Sequence, residues 1–211
     1  MHWVSMIVFI TLCCKRLRSL SERWLLALAL TALSGHALAG AELEQLRVER
    51  QEQGLVLHAH LRLDLGATVE DALMKGVAVH FVAEAELMQD RWYWYDRKVA
   101  QANRYYRLAY QPLTRQWRLQ VASEPMAMGG VATSLAQTFD SLQAALDVIR
   151  LQSGLKLTET DAQPDARQYV VYRFRLDMSQ LPRPFQIATG SQAGWNLNLS
   201  QTLRIQPEGG N

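Results

Sequence analysis

The chain has 211 residues, 49% of them apolar and 20% charged, a composition that fits a folded globular protein and excludes a disordered one. Its formal charge of +2 is unevenly placed. Residues 1–39 hold Lys15, Arg16, Arg18 and Arg23 against Glu22, while residues 40–211 carry 18 basic and 19 acidic side chains. Without a basic excess in that longer part, nucleic acid is not expected as a partner. Cys13 and Cys14 are the only cysteines, so disulfides, cysteine-zinc sites and thiol chemistry are not expected beyond the first segment.

That first segment has the layout of an export signal. Basic residues from Lys15 to Arg23 precede an apolar run from Trp24 to Leu33, and Ala37-Leu38-Ala39 places small residues where a signal peptidase cuts. About ten apolar residues make about 15 Å of helix, half of a hydrocarbon core, which disfavours a permanent span. Residues 1–39 are therefore read as a signal peptide cut after Ala39, with an uncut anchor in the inner membrane as the alternative. A second apolar run, Trp3 to Cys14, precedes the charges. It is unusual for a signal, and a translation start later than Met1 accounts for it. Residues 40–211 are expected to form a single β-rich periplasmic domain, large enough to bury about 70% of its unfolded surface.

Strand patterns dominate that domain. Leu46 and Val48 mark a short strand, and residues 51–54 a turn. Leu55, Leu57, Ala59, Leu61, Leu63 and Leu65 then alternate with Val56, His58, His60, Arg62 and Asp64, the pattern of a strand with one wet face. Thr68, Asp71 and Gly76 frame a short helix. From Val77 to Leu87 the alternation returns against His80, Glu84 and Glu86, and residues 91–122 read as two or three more strands around a turn at 111–114. Ser134 and Gln137 have capping-box spacing. The stripe Leu135, Phe139, Leu142, Leu146 and Ile149 predicts a second helix ending at Gly154. Val170, Tyr172, Phe174 and Leu176 mark one late strand, and Trp195 to Ile205 another. The expected fold is α+β: a mostly antiparallel sheet or sandwich of about seven or eight strands, with two amphipathic helices packed on it.

Several runs bear a family likeness. They are Arg91-Trp92-Tyr93-Trp94-Tyr95-Asp96-Arg97-Lys98, Arg104-Tyr105-Tyr106-Arg107, Leu113-Thr114-Arg115-Gln116-Trp117, Leu181-Pro182-Arg183-Pro184 and Trp195-Asn196-Leu197. Together they resemble the bacterial domain-of-unknown-function family 4390, whose members are exported proteins of about this length. The resemblance spans the whole of the mature chain and carries no catalytic residues to transfer.

Three constellations bear on function. His58 and His60 leave one strand face and His80 sits on the polar face of the next long strand, so the three could hold zinc with a position left for water. Solvation of two alternating strands is the simpler account, because no nearby carboxylate spacing marks a site. Glu84, Glu86 and Asp90 could be paired carboxylates for acid–base work, although a shared strand face also accounts for Glu84 and Glu86. The third is the basic, aromatic block, with Trp92, Trp94, Arg97, Lys98, Arg104, Arg107 and Arg115 as a cationic, π-rich surface suited to anionic lipid headgroups, to anionic glycans or to an acidic protein patch. No motif for nucleotide binding, serine hydrolysis or zinc proteolysis is present. The sequence therefore predicts an exported, non-catalytic interaction module with no cofactor. Its partner would be an envelope or inner-membrane protein or an anionic membrane surface, with no defined small-molecule substrate. The alternatives are a small metal-dependent hydrolase built on the three histidines, and a carrier of an apolar ligand enclosed by Leu57, Leu61, Phe81 and Leu142.

Overall fold

An extended segment in which apolar and polar residues alternate has one buried and one wet side, and this rule builds most of the protein. The computed structural model describes residues 40–51, 54–93, 95–125, 135–157, 167–183, 185 and 193–205, all within a unit of residues 38–211. In chain order the strands are β1 (Gly40–Gln51), β2 (Gly54–Asp64), β3 (Val79–Gln89), β4 (Arg97–Gln111), β5 (Gln116–Ala122), β6 (Leu135–Phe139), β7 (Leu151–Lys156), β8 (Gln168–Leu176) and β9 (Asn198–Arg204). Helix α1 (Gly66–Met74) follows β2 and helix α2 (Leu142–Arg150) follows β6. Every strand pairing is antiparallel. The strands form a three-stranded sheet, β1-β2-β7, and a six-stranded sheet, β6-β5-β4-β3-β8-β9. This is the expected α+β, antiparallel class, with one more strand than the sequence pattern delivered.

The core gathers the apolar faces of both sheets. Leu55, Leu57, Ala59, Leu61 and Leu63 from β2 join Phe81, Ala83, Ala85 and Leu87 from β3 and Val170, Tyr172 and Phe174 from β8, all nearly inaccessible to water. Phe81 and Phe174 stack with ring centroids 5.8 Å apart. Burying each such side chain contributes about 1.5–3 kcal/mol relative to leaving it in water. Leu57, Leu61 and Phe81 thus lie in the core, with Leu142 half-buried against it.

Both helices cover this core. Helix α1 buries Val69, Ala72 and Leu73. It ends at Met74, and just beyond it Gly76, with φ +82, closes the end: Gly76 N–H reaches the Leu73 carbonyl at 2.8 Å and Val77 N–H the Ala72 carbonyl at 3.1 Å. Thr68 does not cap it; the helix begins before that residue, at Gly66.

The second helix corrects the sequence reading. It starts at Leu142, where the Ser141 hydroxyl accepts from Ala144 N–H at 3.2 Å, and Leu135–Phe139 is a strand paired with β5. A spacing of four is also two strand periods, so Leu135 and Phe139 satisfied both patterns. Gly154 is likewise no helix stop. The helix ends at Arg150, and Gly154, with φ +72, sits in β7 where the pairing with β2 slips by a residue.

Candidate interaction surface

The chain from Gln89 to Arg97 leaves the six-stranded sheet at its last β3–β4 pair and carries the aromatic block. It was expected to be strand and is instead a connection beyond the sheet edge. Trp92 is 88% exposed, Tyr93 69% and Tyr95 89%, with the Trp92 and Tyr93 rings edge to face at 5.1 Å. Trp94 lies outside the described residues. Both shoulders of the connection are tied to β8 or the residue before it. Asp90 N–H donates to the Arg167 carbonyl at 2.8 Å, and the Tyr169 hydroxyl donates to the Asp96 carboxylate at 2.5 Å. That bond to Asp96 is the main reason the Tyr169 hydroxyl ionises above its ordinary range.

The seven residues singled out in the sequence do not form one patch. Arg97 stands at the root of the tip and donates to the Gln89 side chain at 3.1 Å. Lys98 is ion-paired with Glu86. Arg107 lies on the outer face of the sheet and donates to Gln120 at 2.9 Å. Arg115, in the β4–β5 turn with φ 55, lies at the far end of β4, whose 15 residues span about 50 Å. Arg104 departs most. It faces the other sheet, where its guanidinium donates to the Ser153 carbonyl at 2.9 Å and the Gly154 carbonyl at 3.2 Å. Beside it the Tyr172 hydroxyl donates to the buried Gln152 at 2.9 Å, and burial pushes the Tyr172 and Tyr106 hydroxyls upward in pKa.

Sequence reasoning missed the arginines of β8. Tyr169, Val171, Arg173 and Arg175 alternate with the core residues Val170, Tyr172, Phe174 and Leu176, so the signal was the same two-residue period read from its other side. Arg173 pairs with Glu86 at 2.7 Å and Arg175 with Glu84 at 2.9 Å. Lys98, and then Arg173, hold the Glu86 carboxyl below the usual carboxylate range against its partial burial. The two glutamates are thus engaged by cations, an arrangement that suits structure better than proton transfer.

The three histidines are not brought together. His58 and His60 project from the three-stranded sheet, where His58 Nε2 lies 3.8 Å from Glu49 and His60 Nδ1 3.0 Å from Glu44. His80 projects from the six-stranded sheet, with the core between it and the other two. Its Nδ1 is buried without a hydrogen-bond partner, beside a hollow of about 30 Å³ that Val82, Tyr105, Asp177 and Gln180 also line. Burial first, and Arg107 second, lower its pKa, with Asp177 acting the other way. Among the described residues no group of three or more histidine, cysteine or carboxylate side chains is placed to hold a metal ion, and no helix is long and apolar enough to cross a membrane.

Fold and surface together describe a two-sheet antiparallel domain with charged outer faces and an aromatic tip at one end of its longer sheet. The chain belongs to the family described as Domain of unknown function (DUF4390), whose model matches residues 39–205. No curated protein and no solved structure matches it.

Proposed function

We propose that this chain is an exported envelope protein acting as a non-catalytic interaction module, with the tip at residues 91–97 as its contact. The observation that carries the reading is the exposure of Trp92, Tyr93 and Tyr95 on a connection tethered at both shoulders to its neighbour. Large aromatics left in water at a fixed position are costly unless something covers them. Export is supported by the basic stretch, apolar run and A-x-A of residues 15–39. A periplasmic location after cleavage at Ala39 follows from that layout. The engagement of Glu84, Glu86, His60 and Arg104 in ion pairs and hydrogen bonds supports a binding role over catalysis.

The test is photo-crosslinking in intact cells from a reactive residue placed at Tyr93, with one at Arg62 on the other sheet as control. The mature N-terminus is sequenced from the same sample. A start at Gly40 or Glu42, with products from position 93 that position 62 does not give, is the expected result. An uncut chain in the cytoplasm, or equal products from both positions, would overturn the reading.

A further inference from the structure

We infer that the tip docks on an anionic lipid surface, Trp92, Tyr93 and Tyr95 entering the headgroup layer while neighbouring arginines meet the phosphates. This rests on the tip being the contact and adds the nature of what it meets.

The shape of the site argues for lipid. The three side chains protrude past the last strand pair, Gln89 with Arg97. The two described hollows lie elsewhere, one of about 240 Å³ between β1 and β9 and the smaller one beside His80. A convex aromatic tip needs a partner that yields around it, and a bilayer interface does so without a matching cleft. Tryptophan and tyrosine, with an apolar ring and a polar edge, settle at headgroup depth.

Charge points the same way. Among the described residues, Arg97 donates to the uncharged Gln89 amide. Arg204 ends β9 directly opposite Tyr169, the residue that ties down the tip. Neither arginine, nor Arg91 within the connection, pairs with a carboxylate among the described residues. Asp90 and Asp96 also lie beside Tyr169, so three arginines stand against two carboxylates and the balance at the tip is positive by one charge. A guanidinium is matched to phosphate by its fork of donors, and each cation held near an anionic bilayer strengthens binding roughly fivefold.

The experiment uses the full chain with vesicles of phosphatidylethanolamine and phosphatidylglycerol, and with phosphatidylcholine vesicles as the neutral control. Co-sedimentation and quenching of tryptophan emission by brominated lipid are the readouts. Of the six tryptophans, Trp117 and Trp195 are buried and Trp3, Trp24 and Trp94 are unchanged by the substitution, so the difference between wild type and Trp92→Phe gives the Trp92 signal. The expected results are preference for anionic vesicles that salt weakens, quenching that Trp92→Phe loses, and at least about tenfold weaker binding in the Arg97→Glu, Arg204→Glu double variant. Residues 1–39 bring apolar runs of their own, so each protein is also assayed after processing at Ala39, where a difference between wild type and variants reports the tip. Circular dichroism verifies folding of the variants. Equal binding by wild type and tip variants, or no binding, would overturn the inference. If position 93 then crosslinks to a protein, the contact reading stands and lipid is replaced as its partner. If it crosslinks to nothing, both fail.

Discussion

Two stretches of the same basic block have opposite fates. Trp92, Tyr93, Tyr95 and Arg97 stand in water at the end of a sheet, whereas Arg104, seven residues after Arg97, turns inward and binds two carbonyls of β7. Arg104 and Arg107 differ by three positions, so a strand sends them to opposite faces, and only Arg107 reaches the outer surface. A run of positive charge in a sequence is thus not a surface. Position parity and strand ends decide which members share one.

That contrast is sharpened first by removing what the interior depends on. Phe174→Ala, which deletes a wholly buried ring stacked on Phe81, is expected to cost about 3–5 kcal/mol in denaturant unfolding. Arg104→Ala should cost about 2 kcal/mol, because it leaves the Ser153 and Gly154 carbonyls without their charged donor. Loss of only a few tenths would show that Arg104 is a surface cation after all. Gly154→Ala is expected to cost about 1 kcal/mol from its φ of +72 alone, since a methyl group there meets nothing within 4 Å.

A smaller effect comes from His80. Its imidazole is held below the ordinary 6.5 by burial and by Arg107, so the unfolded chain takes up a proton more readily than the folded one. The stability this provides is complete above 6.5 and disappears as pH falls through the lowered value. Melting temperature should therefore drop between about pH 7 and pH 5, and His80→Gln should lessen that drop. The smallest effect belongs to the tip: Trp92→Ala should change stability by less than about 0.5 kcal/mol, while removing the crosslinks and vesicle binding. A large loss of stability there would mean that the ring packs on the domain and is not a contact.

Most of the fold could be read from residues alone. The alternation at 55–65, 77–87 and 170–176 marked three central strands and their buried sides, because a half-buried strand admits no other pattern. The region around 135–154 misled, since Leu135 and Phe139 fit either period and Gly154 serves a slipped strand pairing as well as it would a helix end. The candidate site was legible as a composition but not as a place. Trp92, Tyr93, Tyr95 and Arg97 were identifiable by type, yet nothing local says that the strand stops at Gln89 and resumes at Arg97.

Residue order therefore settled the class of fold, the apolar sides of the long strands and the family likeness, all of which rest on short-range periodicity. Folding alone determined that His80 stands apart from His58 and His60, that Arg104 faces inward, and that Arg173 and Arg175 lie beside Glu86 and Glu84. These depend on which strands become neighbours, and strand order is set by how apolar faces pack across long separations in sequence.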